Sequence, residues 1–201
     1  MKILNTNPVN PNDRYLDEAV QLLQEGNVII YPTDTLYALG CDALNNQAIE
    51  RICKLKGQKS EKTNLSIICK DISQAAQYAR FNNDEFKLMK ANLPGAFTFI
   101  FPALSKLPKA FKGRKTVGVR IPNNNIAIKL VEKLGSPIMT SSVDFVDEDY
   151  GCEPELIAQN YADGVALVIN SGRLGVEPST IIDCTGDTPI VTRKGKGELL
   201  Y

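Results

Sequence analysis

Histidine is absent from this chain of 201 residues. Imidazole catalysis is thereby excluded, whether as general acid, general base or nucleophile. The five cysteines, at 41, 53, 69, 152 and 184, have no short paired spacing. A zinc site would need thiolates gathered from distant parts of the chain, so no metal held by protein side chains is expected. Cysteines in apolar settings, such as Ile68-Cys69, read as small core residues in a reducing compartment. Net charge is lacking as well: Lys plus Arg and Asp plus Glu each count 23, so no global field draws the chain to nucleic acid or membrane. Neither a signal peptide nor an apolar run of membrane length is seen, and the expected location is cytoplasmic. Repeats and low-complexity linkers are missing too. At this length the expectation is one domain over residues 1–201 with a substantial core.

The balanced charge is unevenly spread. From Phe101 to Pro122 there are six basic residues (Lys106, Lys109, Lys112, Arg114, Lys115 and Arg120) and no acidic one. From Asp144 to Glu155 there are six acidic residues and no basic one. Such runs ordinarily read as solvated loop faces, but the basic run leads into a predicted strand at 116–121.

The chain is organised around Tyr31-Pro32-Thr33-Asp34-Thr35-Leu36-Tyr37-Ala38-Leu39-Gly40-Cys41. Val28-Ile29-Ile30 before it reads as a buried strand, and Pro32, lacking an N–H, should end the pairing. Three side-chain oxygens then follow in a row on Thr33, Asp34 and Thr35. Loops at strand ends are where α/β folds place their chemistry, although a self-capping Asx or Ser/Thr turn would use the same residues. Periodicity predicts helices over 10–24, 47–55, 73–78, 84–91, 125–134 and 154–161. It predicts strands over 2–4, 27–31, 65–69, 96–101, 116–121, 137–140, 165–169, 179–183 and 189–193. This alternation argues for an α/β sheet flanked by helices, and the last strands, without helices between them, argue against a purely parallel one.

Pro32-Thr33-Asp34-Thr35-Leu36-Tyr37-Ala38-Leu39-Gly40 resembles the opening motif of the YrdC/YciO family, whose best-known members are threonylcarbamoyl-adenylate synthases of tRNA modification. The resemblance continues through Lys56-Gly57-Gln58, Pro94-Gly95-Ala96-Phe97-Thr98, Thr116 to Pro122, Thr140-Ser141, Ser179 to Asp183 and Arg193-Lys194-Gly195. Segments between the motifs, such as Glu50-Arg51-Ile52-Cys53 and Leu88-Met89-Lys90, look closer to the YciO branch. The resemblance implies one twisted, open, mixed sheet flanked by helices around a wide basic pocket. It implies a reaction joining L-threonine, bicarbonate or CO₂ and ATP, with Mg²⁺ in the substrate complex, to give threonylcarbamoyl-AMP and pyrophosphate. Such chemistry rests on positioning and charge neutralisation and needs no side-chain nucleophile.

Carried over by resemblance, Lys56 and Ser141 are the retained catalytic residues, and Thr35, Arg120 and Ser179 would contact a threonine-like ligand. Lys56, Gln58, Thr116, Thr180 and Arg193 would contact the nucleotide. Two departures stand out. The synthases carry Lys-x-Arg where this chain has Lys56-Gly57-Gln58, and Ser-x-Asn where it has Ser141-Ser142-Val143. A charge-assisted phosphate contact supplies about 2–3 kcal/mol and a neutral one about 1–2. Losing both would cost on the order of a hundredfold to several thousandfold in rate. Positions 58 and 143 both read as loop residues at element ends, tolerant of substitution. The expected function is therefore a YciO-like nucleotide binder with weak or altered catalysis. The alternative is a non-catalytic binder of double-stranded RNA or tRNA, recognised by shape and phosphate contacts.

Overall fold

The computed structural model describes residues 1–57, 65–108, 115–144 and 152–201. Six helices and ten strands are assigned among them. The helices begin where short polar side chains replace the missing intrahelical partners of the first N–H groups. Asn12 caps α1 (Asp13–Gln24), Asn45 caps α2 (Asn46–Leu55) and Asp71 caps α3 (Ile72–Ala75). Asn82 opens α4 (Asn83–Asn92) through a capping box with Glu85. Asn124 caps α5 (Asn125–Leu134), which Gly135 ends at φ 78°. Pro154 occupies the first turn of α6 (Pro154–Asn160), where its missing N–H costs nothing. The caps of α3 and α4 fall one or two residues before the Ser73 and Asn83 or Asp84 that periodicity suggests.

The strands are β1 (Lys2–Asn5), β2 (Ile29–Pro32), β3 (Tyr37–Asp42), β4 (Ser66–Ile68) and β5 (Phe97–Pro102). They continue with β6 (Thr116–Arg120), β7 (Ile138–Ser142), β8 (Leu167–Asn170), β9 (Thr180–Asp183) and β10 (Ile190–Arg193). All ten form one mixed sheet in the order β1-β8-β2-β3-β7-β4-β6-β5-β9-β10. Strand β3 is the element that periodicity does not reveal. Its sequence, Tyr-Ala-Leu-Gly-Cys-Asp, is buried on both faces and so carries no alternation to read. It pairs antiparallel with β2, the last register pair being Pro32 with Tyr37, and with β7 on its other edge. The Thr33–Leu36 turn is thus a hairpin tip in the middle of the sheet.

The pleat sends alternate residues into two cores. On one face Leu39, Cys41, Ile67, Met139, Val119, Phe99 and Ile182 pack with α2 and α6 and with Met89 of α4. On the other, Ile29, Tyr31, Ala38, Ile68, Ile138, Leu167 and Ile169 pack beneath α1 and α5. That second core takes no residue from β5, β6, β9 or β10 among those described. Among the described residues, no helix core packs on that half of the face.

Candidate functional site

The uncovered half-face is polar because the pleat changes chemistry along it. The register sets Thr140 beside Ser66, Ser66 beside Gly118, Gly118 beside Ile100, and Thr98 beside Ile181. Where Ile138 and Ile68 carry the helix-covered core, their neighbours two residues away are Thr140 and Ser66. Small residues there hold a hollow open. A Cβ on Gly118 would come to 2.3 Å from Ser66 Oγ and 3.2 Å from Thr98 Cγ2. The hollow is a cavity of about 600 Å³, bounded by strand residues, the β7 end and the start of β10's neighbour segment at Pro178-Ser179.

Arg120, at the end of β6, is 5 % exposed. Its Nη2 donates to Asp34 Oδ1 at 2.9 Å and to Thr35 Oγ1 at 3.0 Å, while its Nε is buried without a partner. Asp34 Oδ2 accepts the Asn123 N–H at 2.9 Å, and the Asp34 carbonyl accepts Lys196 Nζ at 2.7 Å. Inside the hairpin tip, Thr33 Oγ1 donates to Leu36 O at 2.7 Å and accepts the Thr35 and Leu36 N–H groups. The tip is therefore a Ser/Thr turn, and the same turn aims Asp34 and Thr35 at the arginine. The self-capping turn is therefore observed, and it also presents Asp34 and Thr35 to Arg120.

Lys56 stands just past the C-terminus of α2 and enters the cavity lining. Its ammonium donates to Ser142 O at 2.9 Å and is ion-paired to Asp144. Tyr161 donates to Asp144 Oδ2 at 3.2 Å and accepts the Asp144 N–H at 3.0 Å. Burial, with the Asp144 carboxylate adding to it, pushes the Tyr161 phenol up to about 12. Arg193, on edge strand β10, donates from Nε and Nη2 to Ser179 O at 3.2 and 2.7 Å. Ser179 Oγ is itself 2.8 Å from Thr98 Oγ1. Desolvation, then the nearby charge of Arg120, lowers the Arg193 pKa. Tyr31 spans Gly40 to donate at 2.9 Å to Oγ1 of Thr140, which lines the cavity.

The structure brings Lys56, Thr116, Arg120, Ser141, Ser179 and Arg193 to one cavity, with Thr35 bonded to Arg120 at its margin. Thr180 is set apart. Its hydroxyl donates to Gly197 O at 2.6 Å and accepts the Gly195 N–H at 3.0 Å, fastening the C-terminal segment rather than lining the cavity. Gln58 lies outside the described residues. Position 143 is no tolerant loop: Val143 is 2 % exposed and packs into the core while also touching the cavity. Asp144, Tyr161 and Ser66 are not singled out from sequence, and Thr98 appears there only as the last residue of a quoted motif. Asp144 begins the acidic run that composition reads as solvated, and only its spatial meeting with Lys56 distinguishes it.

Residues 21–195 match the Sua5/YciO/YrdC family, described as telomere recombination. The chain is 40% identical over 195 residues to the uncharacterized protein YciO of Escherichia coli K12, covering 96% of this chain and 94% of that one. The crystal structure of E. coli YciO superposes with a TM-score of 0.90, covering 98% of each chain. A threonylcarbamoyl-AMP synthase of Bacillus subtilis is 32% identical over 196 residues, which span 94% of this chain but 56% of the synthase. The crystal structure of Pyrococcus abyssi Sua5 complexed with L-threonine matches with a TM-score of 0.88 at 28% identity, over 97% of this chain and 58% of that one. Related by sequence to threonylcarbamoyl-AMP synthases and close to YciO over its whole fold, the chain belongs to the Sua5/YciO/YrdC family.

Proposed function

We propose that this protein binds a nucleotide together with a small amino-acid-like ligand in the cavity beside Arg120, and that its turnover is weak. The observation that carries this reading is the arginine itself. A guanidinium 5 % exposed, held by Asp34 and Thr35 and keeping one buried N–H without a partner, is preset for a ligand oxygen. A carboxylate would satisfy it with a charge-assisted bond and be held by the same hairpin tip. L-threonine is the ligand of the P. abyssi Sua5 structure, and a threonine-like amino acid is the candidate here.

Lys56 and Arg193 stand on the cavity wall as donors for phosphate oxygens, with Thr116 and Ser179 as neutral partners. Orientation and charge neutralisation are what a carbamate attack on the α-phosphorus of ATP requires. Magnesium would arrive with ATP as part of the substrate complex; among the described residues no group of three metal-ligating side chains converges. The apolar, core-packed Val143 stands where the synthases carry asparagine, so one hydrogen-bonding position of the cavity is missing. The RNA-binding alternative draws on shape and phosphate contacts at a concave basic surface. The basic run's Lys109, Lys112 and Arg114 lie outside the described residues, and no contact among the described residues favours that alternative.

The test is pyrophosphate release from ATP with bicarbonate and each of the twenty amino acids, run beside calorimetry with ATP and AMP at low salt. Nucleotide binding that weakens with salt, is reduced by Lys56→Ala and Arg193→Ala, and is accompanied by slow or absent release is the expected result. Absence of nucleotide binding at low salt, or release as fast as in a full-pattern synthase, would overturn the proposal.

A further inference from the structure

The charges of the cavity are largely spent within the protein. Arg120 is paired with Asp34, their side chains 6% and 8% exposed, and Lys56 is paired with Asp144. Among the charged residues described in the lining, that leaves Arg193 as the cation with no carboxylate partner, its bonds going to Ser179. Lys196 is outside the lining and is turned to the Asp34 carbonyl.

Asp144 is not a loosely held surface acid. Tyr161 grips it through both the carboxylate and the backbone N–H. The residue before it, Val143, is buried and donates its N–H to Tyr37 O at 3.2 Å. On the other side Lys56 also bonds Ser142 O, so ammonium and carboxylate are set against each other by three neighbouring elements. The carboxylate therefore stays on the wall where a phosphate would meet Lys56.

From this we infer that Asp144 is a specificity-determining residue: by pre-neutralising Lys56 it tunes the cavity to a nucleotide of low phosphate charge, a phosphodiester or monophosphate, in preference to a triphosphate. This rests on the nucleotide-binding reading above. A phosphodiester carries one negative charge, a monophosphate about two near neutral pH because its second pKa is about 6, and a triphosphate about four. Each added charge must approach Asp144 as well as Lys56, and like charges brought together in a site oppose binding. The side chain of Asp144 is 61% exposed, so solvent screens the repulsion and the effect is moderate. A nucleotide whose α-phosphate carries one further substituent, leaving a single negative charge, is the best-matched class.

The experiment is calorimetric titration of AMP and of ATP, without magnesium and at low salt, into the wild-type protein, Asp144→Asn and Asp144→Ser. Asp144→Asn retains an oxygen for Tyr161 and removes only the charge, and Asp144→Ser checks that the outcome does not depend on the amide. Both should tighten ATP by about tenfold and AMP by a smaller factor, with the gain shrinking as salt rises. Nucleotide binding with an ATP-to-AMP preference unchanged by both substitutions would overturn the role of Asp144 and leave the binding site standing. Binding of neither nucleotide by any of the three proteins would overturn both.

Discussion

At the scale of the residue, Arg120 and Asp34 form the most consequential pair. Removing one member of a buried pair strands the other's charge, which costs more than the pair itself contributes. Arg120→Ala should lower unfolding free energy by about 3–5 kcal/mol, whereas replacing both members together, as Arg120→Met with Asp34→Asn, should cost less. Urea unfolding of the two variants measures this, and a single substitution milder than the double one would show that the pair is not coupled. Val143 carries a different expectation. Asparagine there would restore a hydrogen-bonding group to the cavity but would also place an amide in the core. Val143→Asn should cost about 1–3 kcal/mol in stability. Combined with Gln58→Arg it should raise pyrophosphate release per folded molecule by more than either change alone. A double variant that is folded yet no faster than wild type would place the catalytic deficit elsewhere.

At the scale of the element, the central hairpin depends on a close approach. Gly40 of β3 lies under the Tyr31 ring, and a Cβ there would come to 2.4 Å from Tyr31 Cε1 and 3.0 Å from Ile138 Cγ2. The ring cannot lift without losing its bond to Thr140. Gly40→Ala should destabilise by about 1–3 kcal/mol through overpacking. Combining it with Tyr31→Leu should cost less than the sum of the two single changes, because the smaller side chain vacates the clash. Thermal unfolding of the three variants provides the cycle, and strict additivity would remove the Tyr31 contact from the explanation. The element matters for function because β2 and β3 carry the Thr33–Leu36 tip that fixes Arg120.

At the scale of the molecule, the titration behaviour follows from burial. Tyr31, Tyr37 and Tyr161 and the thiols of Cys41, Cys69 and Cys184 all have raised pKa values, with desolvation the first cause in each. An acid whose pKa is raised by folding binds its proton more tightly in the folded state. Its contribution to stability is complete below the unfolded pKa, about 8.5 for a thiol and about 10 for a phenol. It is then lost as pH rises through the folded values, about 12 for Tyr161 and about 12 for Cys184. Stability should therefore be nearly flat from about pH 6 to 8, where no histidine exists to titrate, and should fall from about pH 9 upward. Tyrosinate absorbance and circular dichroism followed together would test this. Early, non-cooperative ionisation of Tyr31, Tyr37 and Tyr161 with the fold intact would contradict it.

Much of the architecture was legible because amphipathic periodicity and capping residues are local properties. Helices α1, α2 and α5 lie within a few residues of their expected ranges, and the apolar runs of β2, β5 and β6 are read directly. The ordered motifs from Pro32 to Gly195 pointed by resemblance to one family, and the cavity gathers six of the nine residues they suggested. Strand β3 escaped because burial on both faces erases the alternation that marks a strand. Asp144 and the exclusion of Thr180 escaped for another reason. Whether a carboxylate is solvated or set against a lysine 88 positions away, and whether a threonine faces a cavity or a C-terminal segment, depends on partners that no local pattern names. Sequence alone determined the elements other than β3, the missing imidazole chemistry and the family's residue set. Tertiary structure decided which charges remain free to meet a ligand, because ion pairing depends on distances that only the assembled sheet creates.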